Sequence, residues 1–157
     1  MQTVSLATLR QQIDAASSPS RAVRLLAVSK LQPAAAVAAL AAQGQRAFGE
    51  NYVQEAAAKI AELAELGLEW HLIGHLQSNK AELAAQVFDW VQTVDRAKLV
   101  GALAKHRPSA LPPLNVLIQV NIADEDSKHG CAPEHVNALA EAISSEPRLC
   151  LRGRMAI

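Results

Sequence analysis

A short β-rich run, a turn and an Ala/Leu-rich amphipathic run follow one another repeatedly along the chain, and this alternation restricts the fold more than any other feature. The predicted strands span residues 24–29, 46–48, 69–73, 89–94, 114–122 and 149–157. Strands that alternate with helices form a parallel sheet with right-handed crossovers. The sequence therefore predicts an α/β protein, with a helix within residues 1–20 and strand–helix units over residues 23–157 in a single domain.

Helix boundaries support this division. Pro33 stands at the start of one predicted helix and Gly44 just past its end, which is the usual asymmetry of helix termini. Gly67 is expected to end the next helix. Within that helix, Glu55 and Lys59 have the spacing of an i,i+4 ion pair.

Two architectures have this pattern, an open doubly wound sheet and a (β/α)8 barrel. No Gly-x-Gly-x-x-Gly turn follows the first strand, which removes the main argument for a dinucleotide-binding fold. A barrel needs eight units and typically about 250 residues, whereas six units are visible here. Length and pattern alone leave both architectures open.

Polar and ligand-binding residue types gather where the predicted strands end. The residues that end or follow the strands are Lys30, Gly49, Glu50, Asn51, Gly74, His75, Leu76, Gln77, Asp95, Asn121 and Met155. Asp95 is also expected to cap the helix that follows it. In either architecture the carboxyl ends of parallel strands form the edge where ligands bind.

Lys30 is the most informative of these residues, because it ends an otherwise apolar strand and is expected to point into a crowded barrel mouth. A lysine there can form an ion pair, contact a phosphate or act as a Schiff-base nucleophile. The last role requires a neutral amine, which burial favours. From the sequence alone, the ion pair is the safest interpretation.

Composition excludes several classes of partner. Formal net charge is zero and aromatic residues make up 3%, so neither nucleic acid nor an anionic membrane surface is expected to bind. The two cysteines, Cys131 and Cys150, do not make a disulfide framework and indicate free thiols. No signal peptide or transmembrane run is visible, so a cytoplasmic location is expected.

Several longer blocks resemble one known family. The blocks are Ala27–Lys30 (AVSK), Phe48–Glu55 (FGENYVQE), Trp70–Lys80 (WHLIGHLQSNK), Gln119–Ile122 (QVNI), Lys128–Gly130 (KHG) and Met155–Ile157 (MAI). They look like the signatures of the pyridoxal phosphate homeostasis proteins. Because the blocks are long and occur in order from about Val23 onward, they are far more specific than a single short motif.

This resemblance implies a single-domain barrel similar to the N-terminal domain of alanine racemase. It implies that pyridoxal 5′-phosphate is held as a Schiff base on Lys30, that Asn51 lies beside the cofactor and that Met155 lines its pocket. It also implies a role in buffering or delivering the cofactor, with PLP-dependent apoenzymes as partners, no established catalysis and a monomeric full-length protein.

The sequence departs from the family pattern in three places. In the family, two further strand–helix units would follow Ile157, and these units carry loops that hold the phosphate. The expected fold is therefore a TIM-type barrel truncated after about six strands. A chain with such an open barrel is expected to associate with other copies. Arg154 replaces a leucine and is expected to turn a costly charge toward the helix layer. His129 replaces a small residue.

Two other functions remain open. A racemase-like enzyme would use the same Lys30, but it needs an acid/base on each face of the substrate carbon, and the chain has only one tyrosine, Tyr52. A class I aldolase-type lysine is a third, more distant hypothesis. His71 and His75 have the i,i+4 spacing of a helical zinc site, but they flank a strand end, so core or turn histidines are the better interpretation.

Overall fold

The computed structural model describes residues 4–123 and 129–157, and its centre is one sheet of six strands. The strands are β1 (Ala27–Val28), β2 (Ala47–Glu50), β3 (Glu69–Leu72), β4 (Trp90–Val94), β5 (Leu114–Gln119) and β6 (Leu149–Met155). They lie side by side in sequence order, and every pairing is parallel. The predicted α/β class is confirmed.

Sequential strand order decides between the two architectures. A doubly wound sheet reverses its order at a switch point, whereas the strands of a (β/α)8 barrel follow one another around the wall. The six strands therefore form part of a barrel wall, as expected. Among the described residues, β1 and β6 each have one neighbour in the sheet, so both are edge strands.

In the part of the chain that the structure describes, six α-helices connect or precede the strands. They are α1 (Leu6–Ala16), α2 (Ala34–Ala42), α3 (Val53–Glu62), α4 (Ala81–Val87), α5 (Ala97–His106) and α6 (Val136–Ser144). Gly44 follows α2 with φ of 90°, and Gly67 ends the short 3-10 turn after α3 with φ of 58°. Both adopt the left-handed conformation that favours glycine at helix ends, so the predicted helix ends are confirmed.

The hydrophobic core lies between the helices and one face of the sheet. Its fully buried strand residues include Phe48, Leu72, Val91, Val94, Leu114 and Val116, and its fully buried helix residues include Ala56, Ala84, Ala85, Leu99, Leu103 and Ile143. Small alanines on the inner helix faces let α3 and α4 approach closely. Truncating a large buried residue here, such as Phe88, should cost about 3–5 kcal/mol.

The other face of the sheet carries polar and aromatic side chains. His71 on β3 stacks on Trp90 of β4 with ring centroids 5.1 Å apart, and the Arg152 guanidinium lies 5.5 Å from the Trp90 centroid. The His71 ring also contacts a Glu69 carboxylate oxygen at 2.7 Å. Burial lowers the pKa of His71 despite the opposing effect of Glu69, which favours a neutral ring in this position.

Candidate functional site

A cavity of about 240 Å³ opens at the carboxyl ends of the strands. Its lining residues are Asn51, Ile73, Gly74, His75, Gln119, Val120, Asn121, His129 and Ile157. They come from the segments that follow β2, β3, β5 and β6. The structure therefore gathers at one edge several of the strand-end residues that the sequence singled out.

Two glycines let the backbone close around this cavity. A Cβ atom on Gly74 would collide with the backbone of Asn51, including its carbonyl oxygen. Gly130 has φ of 117°, and a Cβ there would lie 2.6 Å from the backbone nitrogen of Asn121. Both positions require a residue without a side chain, because the contacted atoms are backbone and cannot move aside independently.

Lys30 lies two residues beyond the end of β1, and its side chain is exposed. Lys30 is therefore not crowded by the described residues, and its direction into the barrel mouth stays a prediction. The physical reason for its exposure is that β1 is an edge strand: Val28, two residues earlier, is also 54% exposed. Lys30 forms no ion pair with the described residues, so its amine is open to a ligand.

The residues on either side of Lys30 are firmly held. The Ser29 N–H donates to the Gly49 carbonyl at 2.9 Å, and the Ser29 hydroxyl donates to Glu50 Oε1 at 2.6 Å. The Leu31 N–H donates to Glu55 Oε1 at 2.7 Å. Leu31 has φ of 61°, a strained conformation for a residue with a side chain. These bonds fix the backbone that carries Lys30 while its side chain stays accessible.

A buried ammonium group connects these anchors. Lys59 Nζ donates to Glu50 Oε1 at 2.7 Å, to the Ser29 carbonyl at 2.8 Å and to Glu55 Oε1 at 3.1 Å. Although partial burial raises the pKa of Glu55, the hydrogen bonds from Lys59 and the Leu31 N–H together hold it below its ordinary value. The predicted Glu55–Lys59 pair is confirmed, but nothing in the sequence indicated that Lys59 also reaches Glu50.

Asn51 and Met155, the other two predicted cofactor contacts, line different cavities. Asn51 borders the central cavity and a neighbouring one that contains Tyr52 and Lys80. Met155 is half-buried and borders a cavity against α6 with Val136. Their contact with a shared ligand stays a prediction.

Arg154 and Asp95 differ from their predictions. The side chain of Arg154 is exposed, so the expected cost of burying its charge does not arise. Asp95 does not cap α5, whose N-cap residue is Arg96 without a side-chain cap bond. Instead, Asp95 Oδ1 accepts from Arg96 Nη1 at 2.7 Å. Lys128 of the KHG block lies outside the described residues.

His71 and His75 are four residues apart but do not lie on one helix, as expected. His71 belongs to β3 and stacks on Trp90, whereas His75 follows the strand and stacks on His129 with ring centroids 3.7 Å apart. The sequence did not reveal the contact with His129, because 54 positions separate the two histidines in the numbering.

Comparison with known proteins adds to this geometry. The alanine racemase N-terminal domain family matches residues 4–157. The chain belongs to this family. It is 55% identical over 151 residues to the pyridoxal phosphate homeostasis protein of Pseudomonas aeruginosa, covering 96% of this chain and 66% of that protein. The chain thus spans about two thirds of that relative's length.

Solved structures show the same fold. PipY of Synechococcus elongatus with PLP bound superposes with a TM-score of 0.84 at 42% identity, covering 97% of this chain and 68% of PipY. Alanine racemase from E. faecalis matches with a TM-score of 0.68 at 19% identity, covering 93% of this chain and 39% of the racemase. The second likeness concerns the fold alone. Among the described helices, none has the length and hydropathy needed to cross a bilayer.

Proposed function

We propose that this chain binds pyridoxal 5′-phosphate through a Schiff base on Lys30 and serves in homeostasis of the cofactor. The observation that carries the proposal is the position of Lys30: an accessible amine on a rigidly anchored turn, at the ligand-binding edge of a fold shared with PLP-bound PipY. Relatives more than 50% identical are named pyridoxal phosphate homeostasis proteins.

The described residues fit such a ligand. Bond formation needs the neutral Lys30 amine to add to the aldehyde carbon with loss of one water molecule. Asn51, which directly follows β2, the neighbour of β1, supplies an amide at the adjoining cavity. Gly74, which has no side chain, lets the Asn51 backbone lie against the edge of that cavity. By the family resemblance we assign Asn51 a place beside the cofactor and Met155 a place in the pocket wall.

A role without catalytic turnover is part of the proposal. Racemisation requires a proton donor and acceptor on opposite faces of a carbon atom. Tyr52 is 56% exposed and borders the cavity next to Lys80, so no buried tyrosine faces Lys30. The homologues' names support a role in pyridoxal phosphate homeostasis. Delivery of the cofactor to PLP-dependent apoenzymes in the cytoplasm is the further part of our proposal.

The test is reductive trapping. Purified chain is mixed with pyridoxal phosphate, reduced with borohydride and digested, and the labelled peptide is identified by mass spectrometry. We expect the label on Lys30 and its loss in Lys30→Ala. Lys98→Ala, which removes an exposed lysine of α5, is the matched control and should label like the parent.

Lys80→Ala separates the proposed attachment from its nearest rival, because Lys80 borders the second cavity with Asn51. Equal labelling of Lys30→Ala and the parent, or loss of label in Lys80→Ala alone, would refute the assignment to Lys30. Circular dichroism of each variant checks that the fold is intact.

A further inference from the structure

Three metal-binding side chains converge at the strand ends. His75, Asp95 and His129 each bring one nitrogen or oxygen atom within 4.8 Å of the others. His75 follows β3, Asp95 follows β4, and His129 belongs to the segment after β5. The ends of three consecutive strands therefore contribute one metal-binding side chain each. The three residues are far apart in the sequence, and the fold brings them together.

The Asp95 carboxylate is held in place. Its side chain is 10% exposed, and Arg96 Nη1 donates to Oδ1 at 2.7 Å while the Gly130 N–H donates to Oδ2 at 3.3 Å. Arg96 Nη2 also donates to the Leu76 carbonyl at 2.8 Å, which ties this residue to the turn that carries His75. Within residues 4–123 and 129–157, each Asp95 oxygen accepts one of these hydrogen bonds and keeps a second lone pair for a ligand. Such outer contacts orient metal-binding carboxylates in proteins.

The two imidazoles lie face to face. Their centroids are 3.7 Å apart and their planes differ by 13°. Each ring brings one nitrogen atom within 4.8 Å of an Asp95 carboxylate oxygen and of the other ring's nitrogen, so the pair offers two nitrogen ligands.

Cys131 is close to this group but does not belong to it. Burial raises the pKa of its thiol, and the carboxylates of Asp95 and Glu134 act in the same direction. The thiolate is the form that ligates metals, and the ligand atoms that lie within 4.8 Å of one another come from His75, Asp95 and His129. The donor set consists of two imidazoles and one carboxylate.

We propose that His75, Asp95 and His129 form a binding site for a divalent transition-metal ion of zinc type. Two histidines and a carboxylate are a common ligand set for such ions, and a three-ligand site leaves a position open to water or another ligand. Imidazole lone pairs lie in the ring plane, so both rings must swing out of the stack toward Asp95. Both histidines are exposed, and the terminal torsion of histidine has a broad energy profile.

This site is independent of the cofactor proposal, because it does not involve Lys30. It does share the central cavity, since His75 and His129 line it together with Asn51. Experiments on the ion are therefore done without pyridoxal phosphate, which itself chelates metals through its aldehyde and phenolate oxygens.

The test is a titration of the metal-free 157-residue chain with Zn²⁺, followed by calorimetry, with Co²⁺ as the spectroscopic probe. We expect one ion per chain. His75→Asn, His129→Ser and Asp95→Asn should each weaken binding by roughly 10- to 100-fold or more, since even outer-shell losses have that effect. His135→Asn removes an exposed histidine elsewhere and should bind like the parent.

The outcomes are decisive because the two histidines are exposed and their replacement should not unfold the chain; circular dichroism checks this. No binding by the parent, or equal affinity in His129→Ser and the parent, overturns the proposal and leaves a stacked histidine pair without an ion. A thiolate charge-transfer band in the Co²⁺ spectrum would assign the ion to Cys131 and overturn the proposed donor set.

Discussion

Lys59 Nζ lies 2.7 Å from Glu50 Oε1, and the two side chains are 5% and 0% exposed. The pair joins α3 to the carboxyl end of β2, and the additional bond from Lys59 to the Ser29 carbonyl extends it to the residue before Lys30. An ammonium with three acceptors in a buried position is well compensated for its lost hydration. Lys59 therefore reinforces the anchoring of the Lys30 turn by the Ser29 hydroxyl and the Leu31 N–H, because it binds the same two carboxylates.

Lys59→Met tests that dependence. The substitution keeps most of the side-chain length but leaves the Glu50 carboxylate buried without its cation. Breaking a buried pair from one side costs about 3–5 kcal/mol, so we expect a loss of that size in the free energy of unfolding. Urea denaturation followed by tryptophan fluorescence measures it. Lys98→Met, on the exposed side of α5, should change stability by less than about 0.5 kcal/mol.

A double variant separates the pair itself from the general loss of packing. Glu50→Gln in the Lys59→Met background removes the stranded charge and should recover part of the lost stability. If the double variant is as unstable as the sum of the two single variants, the two side chains are not coupled and the proposed anchor is wrong.

The pH dependence of stability follows from Glu55. Its pKa is below the ordinary value of 4.5 in the folded protein, so the folded state binds this proton more weakly than the unfolded state. The stabilisation is complete above the unfolded pKa and is lost as the pH falls through the folded pKa. When melting temperature is measured against pH, we expect Glu55→Gln to fall less steeply than the parent as the pH drops below the ordinary carboxylate pKa. Glu62→Gln, an exposed change on the same helix, should leave the profile unchanged.

The strands and helices could be predicted because their signals are local. Apolar runs, glycine stops and the proline at the start of α2 act within a few residues, and their positions agree with the structure to within several residues. Lys30 at the end of β1 was found for the same reason. The family resemblance then selected the barrel, a choice that the alternation alone left open.

The site contacts depend on packing between distant segments. Lys59 has the spacing of a surface ion pair, and only the docking of α3 onto β1 and β2 makes it a buried anchor. Likewise, the exposure of Lys30 depends on β1 being an edge strand, and the stacking of His75 on His129 depends on adjacent strand ends. No pattern within one segment carries this information.

Gly74→Ala should disturb the cavity, whereas Gly101→Ala should not. A Cβ at Gly74 collides with the Asn51 backbone, and overpacking of this kind costs about 1–3 kcal/mol. Gly101 lies within α5 with open space around it, so alanine there should stabilise by about 0.5–1 kcal/mol. Thermal melting compares the two. Equal effects of both substitutions would show that the Asn51 backbone does not need Gly74.

Racemisation of free amino acids should be negligible. The chain has one tyrosine, and its side chain is largely exposed in the described structure, so a second base opposite Lys30 is missing from the proposed site. Incubation of the chain with L-alanine and pyridoxal phosphate, followed by chiral chromatography, measures the rate. The free cofactor is the blank. If L- and D-alanine interconvert faster than in the blank, and Lys30→Ala abolishes the difference, the protein is an enzyme.

Self-association is expected from the open edges of the sheet. Within the described residues β1 and β6 have one neighbour each, and unpaired strand edges promote pairing between chains. β1 has only two residues, whereas β6 has seven and so offers the longer edge. Arg152 and Arg154 are exposed on β6, and charges of one sign oppose the pairing of two copies through this strand.

The resulting prediction is weak, concentration-dependent association that increases when these charges are removed. Sedimentation velocity of the 157-residue chain should show a rising mean mass with concentration, and Arg154→Leu should shift the rise to lower concentration. A chain extended by the two strand–helix units that the resemblance implies should remain monomeric, because its edges would pair with each other. A 157-residue chain that stays monomeric at every concentration, with Arg154→Leu unchanged, would show that the edges of β1 and β6 do not drive association.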